Sequence, residues 1–346
     1  MEVVTFFNNK GGVGKTTTIV NLASYLSIYK NKKILLVDLD PQSNSTQIII
    51  PEDEWRDFYG PESTKKTIYD YFKLMDAGEP ILKKYEVPIR KSENNFKVDL
   101  IPGHPNLSII DDLMSKSWTG AIGKDKGDLR RLNWLNQLKS FFEKDYDFMF
   151  LDVGPSLGAL NRSILLNSEY FITPMASDIF SLLGIENIAK WMKRWIEFYK
   201  DALANLSKMD DNFTKEFCNE YLINNEIEKS CKFIGYSVQQ YSKRKFKSGV
   251  RPTQAYEKVI KNINSEIIKH LSTFNKEGLC DQDIKLGDIP YVYSIIPLSQ
   301  TSNMPIFELA YKDGVRGNQT SSVNEYKEFM EKIANNFLRN VGDINE

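Results

Sequence analysis

Cysteine is scarce in this sequence: Cys218, Cys231 and Cys280 are the only three in 346 residues, far apart and in no CxxC or Cys/His spacing. That excludes a disulfide framework and a thiolate metal site, and it makes a reducing cytoplasm the expected compartment. No apolar run approaches the roughly 20 residues that a membrane helix needs. The opening MEVVTFFNNKGG lacks the basic region and apolar stretch of a leader, so neither export nor membrane insertion is expected. An excess of one charge is missing too. Lys and Arg number 45 against 46 Asp and Glu, a net charge of -1, so any contact with nucleic acid or acidic lipid has to come from a local patch.

What is present is ordinary globular material, 41% hydrophobic and 26% charged, enough to fill a sizeable core. Short apolar runs read as buried strands: VVTFF at 3–7, ILLVD at 34–38, VDLIP at 98–102, FMFLD at 148–152, YFITP at 170–174, FIGYSV at 233–238 and VYSIIP at 292–297. Helical patterns lie between and after them, at 16–28, 129–143, 179–199, 256–271 and 323–340. The last aligns Tyr326, Phe329, Ile333 and Phe337 in one apolar stripe. This alternation predicts an α/β fold, a mostly parallel twisted sheet with helices on both faces, formed by one domain over 1–346. Two stretches, 51–96 and 203–231, are polar or proline-bearing and read as partly helical surface insertions.

The chemistry concentrates directly after the first predicted strand. Asn8-Asn9-Lys10-Gly11-Gly12-Val13-Gly14-Lys15-Thr16-Thr17 runs straight into an amphipathic helix, the strand, glycine loop and helix context of a phosphate loop. The glycines let the backbone curl so that successive N–H groups point at phosphate oxygens, reinforced by the positive end of the helix. Lys10 through Thr17 are therefore the candidate nucleotide-binding residues. Lys15 would neutralise the β and γ phosphates and Thr16 would offer its hydroxyl to Mg²⁺. Two departures from the GxxxxGK[ST] form stand out: Asn9 replaces the first glycine, and Lys10 adds a second lysine. Beside Lys15 and Mg²⁺ a second cation is superfluous for the loop's own nucleotide, but it could reach the phosphates of a nucleotide on a facing subunit.

KGGVGKTT resembles the deviant Walker A motif of the ParA/MinD family of P-loop ATPases. Val37-Asp38-Leu39-Asp40-Pro41-Gln42 is similar to that family's first switch, and the run from Asp147 to Gly158, DFMFLDVGPSLG, to its Walker B strand and second switch. Three motifs in the right order make the resemblance specific, and it spans most of the chain apart from the two insertions. It implies an ATPase that converts ATP to ADP and phosphate, with Lys10, Lys15 and Asp40 catalytic. Asp40 would orient the attacking water, while Thr16, Asp38 and Asp152 would serve the Mg²⁺ site. Pro297 would line the adenine pocket.

Members of the family differ in what their ATP-bound homodimer holds. Between Lys232 and Arg251 stand six basic residues and no acid, with Lys243, Arg244, Lys245, Lys247 and Arg251 as candidate DNA contacts in what reads as an exposed loop. The chain carries no arginine just after Pro297, where several members have one. The terminal stretch 341–346 carries two acids and no lysine, so membrane docking through a basic tail is not expected. The resemblance thus implies a ParA-like ATPase that binds non-specific DNA as an ATP dimer in plasmid or chromosome partition, associates with the nucleoid, and is stimulated by a ParB-like adaptor. The alternative is an ATP-dependent dimeric switch that positions a non-DNA protein cargo through its insertions. An electron-transfer enzyme of the nitrogenase-iron-protein type would need cluster-ligating cysteines, which the three cysteines do not supply.

Overall fold

The computed structural model describes residues 1–60, 63–208, 211–239, 244–246, 249–251, 254–290, 292 and 294–343, with backbone alone at 211–213, 244–246, 249–251 and 254–261. Nine strands are described: β1 Glu2–Phe6, β2 Ile34–Leu39, β3 Asp99–Ile101, β4 Phe148–Val153, β5 Tyr170–Ala176, β6 Lys232–Gln239, β7 Arg244–Phe246, β8 Gly249–Arg251 and β9 Lys285–Ile289. Seven form one sheet in the order β3-β2-β4-β1-β5-β6-β9, with every described pairing parallel. β7 and β8 make a separate antiparallel hairpin. Every residue of β2 and β4 is buried, because helices cover both faces of a parallel sheet and leave no solvent side for polar residues.

The helices are α1 Lys15–Tyr29, α2 Asn44–Ile49, α3 Arg56–Tyr59, α4 Ile68–Asp76, α5 Leu107–Ile122, α6 Lys126–Leu132, α7 Trp134–Phe142, α8 Ala159–Asn167, α9 Ile179–Ser207, α10 Asp211–Glu220, α11 Gln254–Leu271, α12 Ile296–Ser302 and α13 Gln319–Val341. One face of the sheet is closed by a core that includes Tyr71, Phe72, Trp134, Trp195 and Tyr199. The other is closed by α1 and α13, where Phe337 packs its ring 5.2 Å from Phe148 and 5.5 Å from Phe150. The buried stripe of α13 runs through Tyr326, Met330, Ile333 and Phe337. Phe329, expected in that stripe, is only half-buried.

Several expectations change at the element level. The run 129–143 is two helices, split at fully buried Asn133. Its Nδ2 donates to the Leu129 carbonyl at 2.8 Å, while its Oδ1 accepts from the Tyr199 hydroxyl at 2.9 Å and the Asn224 N–H at 2.8 Å. The described residues of 292–297 form no strand: the edge strand is β9, upstream, and Pro297 sits in the first turn of α12, where a proline costs no hydrogen bond. β9 was hard to read because Gly287 interrupts it. A Cβ there would stand 2.7 Å from Ile333 Cγ1, so glycine is what lets α13 approach. The segments 51–96 and 203–231 are more than surface decoration: Phe58, Ile68, Tyr71, Phe72, Met75 and Phe96 from the first, and Phe217, Cys218, Ile227 and Cys231 from the second, are buried.

Candidate nucleotide site

The loop between β1 and α1 is held by Asn8, whose Nδ2 donates to the Pro174 carbonyl at the end of β5 (2.8 Å) and whose Oδ1 accepts the Lys10 N–H (2.9 Å). Asn8 is thus a positioning residue; only the fold, by bringing β5 alongside, gives it that role. Gly12 and Gly14 have φ of 72° and 79°, a left-handed backbone that side chains resist. A Cβ on Gly11 or Gly12 would meet nothing within 4 Å, so the loop is open toward a ligand. Lys15 is buried and donates from Nζ to the Lys10 carbonyl at 3.2 Å, curling back over the loop as a phosphate-binding lysine does. Burial pushes its pKa down, and Asp152 and Asp40 oppose that shift.

Parallel pairing of β2 with β4 sets Asp38 directly beside Asp152. Asp38 is fully buried: Oδ2 accepts from the Thr46 N–H (2.8 Å) and hydroxyl (2.7 Å), and Oδ1 from the Asp40 N–H (3.2 Å). Asp152 Oδ2 accepts from the Ser45 hydroxyl at 2.6 Å, while its buried Oδ1 has no partner. Thr16 stands near enough to favour the ionised Asp152 carboxylate, although no hydrogen bond closes on Oδ1. Burial pushes both carboxyls up, and mutual repulsion adds to the shift on Asp38. An orphaned buried carboxylate oxygen beside a threonine hydroxyl is a hard oxygen donor set that fits Mg²⁺. Among the described residues no three His, Cys, Asp or Glu side chains converge on a cage. Mg²⁺ takes one or two carboxylates and leaves its other positions to phosphates and water. Asp40 lies above this pair, its Oδ1 accepting the Gln42 N–H at 2.9 Å. Gly154 of the second switch lies opposite, where a Cβ would sit 3.2 Å from the same oxygen.

A cleft of 770 Å³ opens over these groups, lined by Gly11, Gly12, Gly14, Lys15, Thr16, Thr17 and Asp40 of the expected set. Asp38 and Asp152 are buried beneath. Val13 is buried and does not line the cleft. Lys10 points elsewhere, ion-paired with Asp178 Oδ2, its Nζ 5.9 Å from the Phe180 ring centroid. Pro297 is exposed and does not line the cleft; Gln300, Thr301 and Asn303 of the same segment do, together with Ile48 and Trp55. None of these five stands in a motif, so sequence reading had no signal for them. Of the basic stretch, Arg244, Lys245 and Arg251 lie on the β7–β8 hairpin rather than on a loop, with Arg244 directly opposite Arg251. Lys243 and Lys247 lie outside the described residues. The hairpin follows β6 in the chain; at the end of β6 the Gln239 side chain would stand 3.1 Å from a Cβ on Gly14 of the phosphate loop.

A parallel sheet whose first strand feeds such a loop defines a P-loop nucleotide-binding class. Comparison with known proteins agrees. The family model of an AAA domain (AAA_31) matches residues 1–207. The virulence plasmid ParA family protein pGP5-D of Chlamydia psittaci is 28% identical over 191 residues, 55% of this chain and 63% of that protein. The chromosome-partitioning ATPase Soj of Treponema pallidum is 30% identical over 193 residues, 56% of this chain and 64% of that protein. The chain therefore spans less than two thirds of the length of these curated relatives. A crystal structure of a protein from Corynebacterium diphtheriae aligns with a TM-score of 0.74 at 29% identity, over 99% of both chains. The chain belongs to the AAA domain family and, within it, to the ParA-like P-loop ATPases. Among the described residues no helix is long and apolar enough to cross a membrane.

Proposed function

We propose that this protein is a partition-type ATPase: it binds ATP with Mg²⁺, pairs two copies face to face, holds non-specific DNA as that dimer, and releases it on hydrolysis. The observation that carries the reading is the convergence of Lys15, Thr16, Asp40 and the buried Asp38–Asp152 pair on one cleft. Lys15 binds the phosphates, Thr16 and Asp152 hold the metal, Asp38 orders the first switch through Thr46, and Asp40 orients the attacking water. Mg²⁺, when bound, neutralises the phosphate charge that develops in transfer. Support for pairing comes from α9. Its first turns expose Ile179, Phe180 and Leu183 to 56%, 67% and 54%, next to Lys10, an apolar face of the kind a second copy covers. The named functions of the curated relatives, a plasmid ParA family protein and a chromosome-partitioning ATPase, support partition as the process. By that analogy a ParB-like adaptor stimulates hydrolysis, and the site of action is the cytoplasmic nucleoid.

Retention of a random-sequence duplex is the test, with ATP and Mg²⁺ against ADP, run alongside phosphate release. Retention with ATP only, lost together with hydrolysis in Lys10→Ala and Lys15→Ala, is the expected result. Hydrolysis without DNA retention in either nucleotide would move the reading to a switch acting on a protein cargo.

A further inference from the structure

β4 ends at Val153 and α8 begins at Ala159. The link between them, Gly154-Pro155-Ser156-Leu157-Gly158, is the stretch similar to a second switch. It forms one wall of the cleft: Pro155 lines it, and a Cβ on Gly154 would sit 3.2 Å from Asp40 Oδ1. Glycines make such a link permissive, and among the described residues no backbone–backbone hydrogen bond ties 154–157. A side chain does so instead. Asn161, buried in the first turn of α8, donates from Nδ2 to the Gly154 carbonyl at 2.9 Å and to the Ser156 carbonyl at 2.8 Å, with the Ser156 hydroxyl at 3.2 Å. The buried helical asparagines Asn21 and Asn167 donate back along their own helices, to the Thr17 and Ser163 carbonyls; Asn161 reaches out of its helix to the loop. α8 gives it a firm base. Asp111 Oδ1 on α5 accepts the Leu160 N–H at 2.7 Å, the Trp118 indole N–H donates to the Ala159 carbonyl at 3.3 Å, and the Trp134 indole N–H donates to the Ser163 hydroxyl at 2.9 Å.

We propose that Asn161 is a positioning residue for hydrolysis: its amide clasps the Gly154 and Ser156 carbonyls and so holds the second-switch wall of the cleft opposite Asp40. The inference rests on the ATPase reading above and deepens it. Asp40 can orient a water only if the space beside it keeps a fixed width, and a misplacement of about 1 Å is enough to cost about a hundredfold in rate. The wall that sets this width is a permissive loop, and among the described residues no other hydrogen bond holds those two carbonyls. A side chain locked by packing and aimed at a mobile element is the usual support of a reactive geometry. Asn161 lies beneath the loop and does not line the cleft, so it should act on the rate and not on the binding of ATP.

Phosphate release by the full chain at saturating ATP and Mg²⁺, set beside calorimetric titration with ATP, separates the two effects. Asn161→Ala should lower kcat by roughly ten- to a hundredfold while it binds ATP with the affinity and stoichiometry of the wild type. Asn161→Leu refills the volume of the side chain without donating a hydrogen bond and should be equally slow; it also serves where Asn161→Ala does not fold. A wild-type rate in Asn161→Leu would assign the residue to packing. A rate loss matched by a loss of ATP affinity or of stoichiometry would assign it to the integrity of the whole site. Either result, or an unchanged kcat in Asn161→Ala, overturns the proposal and leaves the ATPase reading standing. A wild-type chain that binds no ATP, or binds it and releases no phosphate, overturns that reading and this inference with it, and is seen before any variant is made.

Discussion

At the residue scale, the second loop lysine already has a partner within its own subunit. Asp178 divides its oxygens: Oδ1 caps α9 by accepting the Ser181 N–H at 3.1 Å, and Oδ2 takes Lys10. For Lys10 to reach a nucleotide on a facing copy, that ion pair has to open. With both side chains about 30% exposed, such a pair is worth about 0–1 kcal/mol, a barrier that phosphate charge overcomes. Asp178→Asn retains a good helix cap and frees Lys10, so ATP-dependent dimerisation should shift to a protein concentration a few-fold lower in sedimentation. An unchanged midpoint would mean that Lys10 does not leave Asp178 on pairing. The charge of Lys10 was legible in the sequence, but its tie to a residue 168 positions away was not, because no local pattern encodes which strand lies beside β1.

At the element scale, the order of strands and helices was largely legible, since parallel strands buried on both faces leave continuous apolar runs. The exceptions have identifiable causes. α5 is absent from the helical patterns assigned above, although its buried Leu107, Ile110, Met114, Trp118 and Ala121 recur at helical spacings of three and four, and β9 is masked by Gly287 and Asp288. Asn133 looks like one more polar position in a helix, yet it ends α6, starts α7 and satisfies Tyr199 and Asn224 from inside the core. Asn133→Ala should leave the buried Tyr199 hydroxyl without an acceptor, at about 1–3 kcal/mol, and the half-buried Asn224 N–H to seek water at a smaller cost. Urea denaturation should show a midpoint lowered accordingly with the slope unchanged. A loss below about 0.5 kcal/mol would show that the two groups find other acceptors.

At the scale of the whole molecule, net charge -1 means that the proposed DNA retention would need a local patch of cations. The β7–β8 hairpin follows β6 in the chain and places Arg244, Lys245 and Arg251 on one paired ribbon, Arg244 opposite Arg251. Arg244→Glu with Arg251→Glu should weaken ATP-dependent retention at every sequence alike and flatten the salt dependence, by a slope of about one for each phosphate no longer neutralised. The nucleotide affinity should be unchanged. A salt slope identical to wild type would place the DNA surface elsewhere.

The sequence by itself determined the phosphate loop, the strand-end aspartates, the parallel α/β architecture and the family, because each is written in residues adjacent in the chain or repeated with a fixed period. Only the tertiary structure decided that Asp38 and Asp152 lie in register, that Lys10 is held by Asp178, and that Trp55 and Asn303, from segments with no motif, close one end of the same cleft. These are meetings of distant segments, and they follow from how the helices pack on the sheet, which no local run of residues specifies.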